Sequence, residues 1–305
     1  MRVLIVGCGY VGLPLGKELV RLGHEVSGLR RSALAAAELS RAGLQPLLAD
    51  ITQAESLAKL PRHFDWVVNC AASGGGGADD YREIYLEGNR NLIAWLAGSP
   101  LRKFIYTSST SVYGQNDGSL VTEKSPVQPE AETAKVLVES ENILLGHDGS
   151  RGRSPHHPRF PAVVLRVAGI YGPGRGHWFK QYLRGAARIE GDGARWLNMI
   201  HRDDLIGVII AALRDAKPGE IFNVADNEPV SQLKFYEWLA AELNRPMPPM
   251  VPADAEIWRK RGVTNKRVGN AKLRAELKYE FQFPDFRAGY AAEIARLRTE
   301  GAADF

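Results

Sequence analysis

The chain is short of several features, and each shortage removes a class of function. Its 305 residues include two cysteines, Cys8 and Cys70, so neither a disulfide framework nor a cysteine zinc site is available. Both sit in apolar, strand-like surroundings, the setting of buried, reduced thiols. No apolar run approaches the roughly 20 residues of a membrane span, and glycines interrupt the opening MRVLIVGCGYVGLPL without a signal-cleavage pattern after it. The 39 basic residues are scattered among 35 acidic ones, for a net charge of +4, and form no run that would bind nucleic acid. The expectation is a cytoplasmic protein acting on a small molecule, with no membrane or nucleic-acid partner.

What is present is an alternation. Short runs rich in Val, Ile and Leu stand at 2–6, 25–29, 45–48, 66–70, 103–107 and 162–167, with helix-length amphipathic stretches at 11–22, 34–42, 54–60, 80–97 and 130–145 between them. Strand and helix in turn predict an α/β fold, a doubly wound Rossmann-type parallel sheet covered on both faces. After residue 167 the pattern loosens, with a helix over 203–214, a strand over 221–224 and a mostly helical stretch over 231–299. This predicts a smaller, mostly C-terminal substrate lobe made of 169–202 and 227–305, against a dinucleotide-binding domain of 1–168 with 203–226. Glycine-rich 74–80 and the 148–161 segment, with His156 and His157, read as loops.

The chemistry begins at Gly7-Cys8-Gly9-Tyr10-Val11-Gly12, which directly follows one predicted strand and opens one predicted helix. In that setting Gly7 makes the tight turn, Gly9 lets the backbone approach a pyrophosphate, and Gly12 permits close helix packing, while the amides of Tyr10, Val11 and Gly12 face the phosphates. An NAD site would place a carboxylate at the end of the second strand to bind the ribose hydroxyls. This strand ends instead in Arg30-Arg31-Ser32, groups suited to a 2′-phosphate. NADP(H) is therefore expected ahead of NAD(H), the alternative being two solvated arginines.

These residues, with Ala49-Asp50-Ile51, Asn69-Cys70-Ala71-Ala72, Tyr106-Thr107-Ser108-Ser109, Val112-Tyr113-Gly114, Leu165-Arg166, Tyr171-Gly172-Pro173-Gly174, Ile200-His201-Arg202-Asp203-Asp204 and Phe222-Asn223-Val224, resemble the extended and atypical short-chain dehydrogenases/reductases, the epimerase/dehydratase group. The resemblance covers nearly the whole chain. It implies that Asp50 and Ile51 flank the adenine, that Ala71 and Ala72 line the cofactor, that Ser109 faces the substrate, and that a homodimer forms through 80–97 and 130–145. It also implies substrate contacts from the smaller lobe, where Arg175, His177, Trp178, Arg195 and Asn198 are candidates beside Tyr113. His201 and Asp203 read as structural, with Asp203 capping the following helix.

The family's proton-transfer pattern is incomplete. It uses a tyrosine four residues before a lysine, whose ammonium lowers the tyrosine pKa; here Lys135 and Glu139 match, but the tyrosine position is Ala131. Lys135 keeps a role in holding the nicotinamide ribose, and Ser109 in polarising a carbonyl. Three functions remain open: an NADP(H)-dependent oxidoreductase or epimerase acting on a sugar nucleotide or other hydroxylated small molecule; a dinucleotide-binding redox sensor or interaction protein without hydride transfer, which Ala131 favours; and a protein that keeps the fold but has moved its chemistry to other acid/base groups in the smaller lobe.

Overall fold

The structure is a computed structural model that describes residues 1–74, 76–147, 160–252 and 264–301. It divides into two compact units: Met1–Val112, Val127–Arg166 and Val208–Phe222 form the first; Tyr113–Pro126, Val167–Gly207 and Asn223–Phe305 the second. His156 and His157 lie outside the described residues.

In the first unit, strand β1 (Arg2–Val6) leads through helix α1 (Gly12–Arg21) to β2 (Glu25–Arg30), then α2 (Ala36–Arg41), β3 (Gln45–Leu48), α3 (Ala54–Ala58) and β4 (Trp66–Asn69). A longer helix follows, α4 (Ala78–Tyr81), a π-helical turn over Arg82–Glu87 and α5 (Gly88–Leu96), before β5 (Lys103–Ser109) and, further on, α6 (Glu132–Leu145). Strands Ala162–Val167 and Ile221–Val224 complete a seven-stranded sheet in the order Ile221–Val224, Ala162–Val167, β5, β4, β1, β2, β3. The pairings β1 with β2, β1 with β4, β2 with β3 and β4 with β5 are all parallel.

Val3, Leu4, Ile5 and Val6 are all buried, as is every residue of Ala162–Val167, which is why these strands read as apolar runs rather than alternating ones, interrupted in the second by Arg166 alone. Right-handed crossovers running one way from β1 and the other way from β4 put α1 and α2 on one face and α5 and α6 on the other. The strand order reverses between β1 and β4, and in open parallel sheets ligands bind beyond the C-terminal ends of the strands at that reversal.

The second unit holds an aromatic core around Tyr171, Phe179, Phe235, Tyr236, Phe286 and Tyr290, with Tyr171 and Tyr290 stacked at 4.4 Å. Its helices Gln232–Leu243 and Phe286–Thr299 are capped by Ser231, which accepts from the Lys234 amide, and Asp285, which accepts from the amides of Arg287 and Ala288. The units divide differently from the 1–168 with 203–226 grouping. Residues 113–126 pack in the second unit, because the Tyr113 hydroxyl donates to Asn223 Oδ1 at 2.7 Å and Leu120–Val121 pairs with Arg267–Val268. The first turn of helix Arg202–Asp215 belongs there too, since Asp204 accepts from the Tyr279 hydroxyl and the amides of Gln282 and Phe283 at 2.7–2.9 Å.

Candidate functional site

The glycine turn lies at the reversal of strand order. Gly7 has φ +86°, and a Cβ there would stand 2.6 Å from both the Cα and the N of Ala71, two residues past the end of β4. Only glycine fits where the two chain ends meet. A Cβ on Gly12 would stand 2.4 Å from the Gly7 carbonyl oxygen, so the start of α1 is packed against the turn. Gly9 differs: a Cβ there meets nothing within 4 Å. Its missing side chain is not demanded by the fold, and it leaves the backbone open to a ligand. No side chain caps α1, and its first turn carries no acidic residue, so the positive end of the helix faces that opening. These features fit a pyrophosphate.

At the end of β2 the two arginines are used differently. Arg30 donates to Glu38 on α2 at 2.8 Å. Arg31 is two-thirds exposed and stands 3.8 Å from the Asp50 carboxylate. Ser32 accepts from the Leu34 amide, and Asp50 is held by the Thr52 amide and hydroxyl at 3.0 and 2.9 Å. Ile51 is buried, and its carbonyl accepts from Asn91.

Between β4 and α5 runs a buried relay. Ala71 donates its amide to Asn69 Oδ1 at 3.0 Å, Asn69 donates to Asn89 at 2.9 Å, and Asn89 donates to the Tyr85 carbonyl at 2.7 Å. That carbonyl lies in the π-helical turn and also accepts from Ser140 on α6 at 2.8 Å. The Ser73 amide donates to the Tyr85 hydroxyl at 3.2 Å. Burial pushes the Cys8 and Cys70 thiols up to about 12, so both are neutral packing groups.

Ser109 ends β5 and accepts from the Ser111 amide. Its neighbour Ser108 is buried and donates to Glu141 on α6 at 2.7 Å, and Glu141 receives Arg166 through two nitrogens at 2.7–3.2 Å. On the same helix Lys135 pairs with Glu132 at 2.7 Å, and Glu139 with Arg82 at 3.0 Å. The helix expected from residue 130 begins at Glu132. Ala131 is its N-cap, with extended φ and ψ of −68° and 130°.

Within the second unit, His177, Trp178 and Arg195 come together: the imidazole meets the Trp178 ring edge at 5.1 Å, and the Arg195 guanidinium lies 5.2 Å over that ring while pairing with Glu190 at 3.4 Å. Partial burial, then the Arg195 charge, lowers the His177 pKa. Arg175 is exposed in a bend closed by backbone bonds with Gly172. Two further substrate candidates, Tyr113 and Asn198, are engaged by the protein's own polar groups. Tyr113 is wholly buried, its hydroxyl held by Asn223, and Asn198 joins the Lys266 carbonyl to the Val268 amide. His201 also corrects the cap: its Nδ1 accepts from the Asp203 amide at 3.2 Å, while the Asp203 carboxylate accepts from Arg202. Burial lowers the His201 pKa, favouring the neutral ring that acceptance requires.

Sequence reading missed Tyr85, Ser108, Glu141, Arg166 and Lys266. Lys266 is buried, donates to the Tyr113 carbonyl and the Thr264 hydroxyl, and is pushed down to about 8 by burial and then Arg195. Ser108 and Arg166 stand in motifs of the resemblance without a role of their own, and the signal of the others is a charged or hydroxylated residue among apolar neighbours. Among the described residues, no cluster of three or more His, Cys, Asp or Glu is placed to hold a metal, and no helix is long and apolar enough to cross a membrane.

Residues 3–225 match the model of the NAD dependent epimerase/dehydratase family. Protein YeeZ of Escherichia coli K12 is 28% identical over 291 residues, covering 93% of this chain and 97% of that protein. A Methylobacillus flagellatus protein solved as a candidate NAD-dependent epimerase/dehydratase is 32% identical, with a TM-score of 0.76 over 97% of this chain and 98% of that one. UDP-glucuronic acid 4-epimerase of Bacillus cereus, solved with UDP-glucuronic acid and NAD, shares the fold at 22% identity, with a TM-score of 0.78 over 98% of this chain and 100% of that one.

Proposed function

The chain belongs to the NAD dependent epimerase/dehydratase family, and from that premise we propose that it is an NADP(H)-dependent oxidoreductase acting on a sugar nucleotide or another hydroxylated small molecule. The observation that carries this reading is the set of three glycines at the reversal of strand order, two required by packing and Gly9 by neither packing nor backbone.

In this reading the amides of Tyr10, Val11 and Gly12 hold the pyrophosphate, Asp50 and Ile51 flank the adenine, and Ala71 and Ala72 leave room for the cofactor to cross β4. Arg31 receives the 2′-phosphate, with Ser32 beside it; Arg30 joins only by releasing Glu38. The bound cofactor supplies or accepts a hydride. Ser109 polarises the substrate carbonyl, and Lys135 turns from Glu132 to the nicotinamide ribose hydroxyls. Arg175, His177 and Arg195 contact the substrate. A homodimer through residues 80–97 and 130–145 completes the reading, and sedimentation of the free protein checks it.

Ala131 favours one alternative, a dinucleotide-binding protein without hydride transfer. Calorimetric titration with NADPH and NADH, then fluorescence of bound NADPH against sugar nucleotides and carbonyl compounds, separates the two. Tight NADPH binding with oxidation supports the oxidoreductase; tight binding with no oxidation supports the alternative; no binding refutes both.

A further inference from the structure

Position 131 lacks the hydroxyl that the family uses to move a proton, and Ala131 lies in the helix cap rather than on the face of α6. A phenol does reach the cofactor rim from another element. Tyr85 is half-buried on the π-helical turn, and its hydroxyl accepts from the amide of Ser73, two residues beyond Ala71. Ala71 in turn abuts Gly7. In the β4–β5 register Asn69 stands opposite Tyr106, and three residues further along each chain come Ala72 and Ser109. Ser73, whose amide holds the Tyr85 hydroxyl, and Ser109 thus both follow the last paired residues at the C-terminal edge of the sheet.

Tyr85 is also fixed there. Its carbonyl is bound by Asn89, in the relay that ends on the Ala71 amide, and by Ser140 of α6, the helix that carries Lys135. A π-turn is a less regular winding that recurs at functional sites, and here its Tyr85 carbonyl meets side chains of both α5 and α6. An amide N–H donated to a phenolic oxygen stabilises the phenolate more than the phenol. The surrounding groups are the Tyr81 ring at 4.8 Å on its own helix, Tyr106 of β5, and the Arg82–Glu139 pair that joins its helix to α6.

We propose that Tyr85 supplies the acid and base function absent at position 131. The proposal rests on the oxidoreductase reading above. In the reducing direction the substrate carbonyl carbon takes a hydride from the reduced cofactor, and its oxygen takes the phenolic proton of Tyr85. The products are the alcohol, the oxidised cofactor and a tyrosinate that regains its proton from solvent; oxidation runs the same transfers in reverse.

The test compares the full-length wild type, Tyr85→Phe and Tyr81→Phe. NADPH affinity is measured by calorimetry, phenolate formation by ultraviolet difference absorbance when NADP+ is added in mildly alkaline buffer, and turnover with phenanthrenequinone as the carbonyl probe. Tyr85→Phe is expected to bind NADPH as the wild type does, to lose the phenolate signal, and to reduce the probe about 100-fold more slowly or worse; Tyr81→Phe keeps both properties. An unchanged phenolate signal in Tyr85→Phe overturns the proposal, whether or not the probe is turned over. Failure of the wild type to bind NADPH overturns the oxidoreductase reading itself, and this inference with it.

Discussion

Arg31 faces Asp50 at 3.8 Å across the ends of β2 and β3, a loose pairing that leaves its guanidinium two-thirds exposed, whereas Arg30 is held by Glu38 at 2.8 Å. On the NADP(H) reading, the loosely paired Arg31 rather than the tightly paired Arg30 receives the 2′-phosphate. Arg31→Ala is expected to weaken NADPH by about 1.5–3 kcal/mol, roughly tenfold to 150-fold, with little change for NADH. Arg30→Ala has the smaller effect. Equal losses for the two cofactors in paired titrations would exclude the 2′-phosphate role.

Two ion pairs on α6 differ in burial, and their loss should differ accordingly. Glu141 and Arg166 are only 3% and 4% exposed, while Glu139 and Arg82 are nearly half exposed. Glu141→Ala leaves a buried guanidinium and the Ser108 hydroxyl without their acceptor and is expected to cost about 3–5 kcal/mol in urea unfolding. Glu139→Ala should not move the midpoint. Similar effects from both would mean that burial does not set the strength of these pairs.

Asp226 carries the pH dependence. Its carboxyl is buried, one oxygen accepts from the Glu228 amide, and Oδ2 has no partner among the described residues. Burial pushes its pKa well above the usual carboxylate range. The folded state then binds the proton more tightly than the unfolded chain, whose value is about 3.9. The resulting stability is complete below that value and is lost as pH rises through the raised one. Asp226→Asn should flatten the fall of Tm with rising pH; parallel curves for variant and wild type would contradict the assignment.

The first unit was legible because its signals are local. Val3–Val6 is apolar throughout, and Ala162–Val167 is apolar but for Arg166, since both sheet faces are covered, and Gly7, Gly9 and Gly12 follow a strand and open a helix in one short stretch. The winding of 82–87 was not legible. It depends on Ser140 and Asn89 reaching the Tyr85 carbonyl, contacts separated from it by 55 and 4 residues, and the same apolar spacing reads as one helix. Ala131 looked helical by continuity with Lys135, but the helix starts one residue later and uses its carbonyl to accept from the Ala134 and Lys135 amides. Asp203 looked like a cap by position; the buried His201 ring took that place. Ser108, Glu141 and Arg166 lie far apart in sequence, and only folding makes them one network.

Gly9→Val tests the central claim most directly. A Cβ at position 9 meets no protein atom within 4 Å, so the variant is expected to fold with an unchanged circular dichroism spectrum, and loss of binding by the folded variant then reports on the approach of the ligand. The account predicts that calorimetric titration with NADPH gives heats of binding for the wild type and none for folded Gly9→Val. Retention of wild-type affinity by the folded variant would contradict the placement of the pyrophosphate at the Gly7–Gly12 turn.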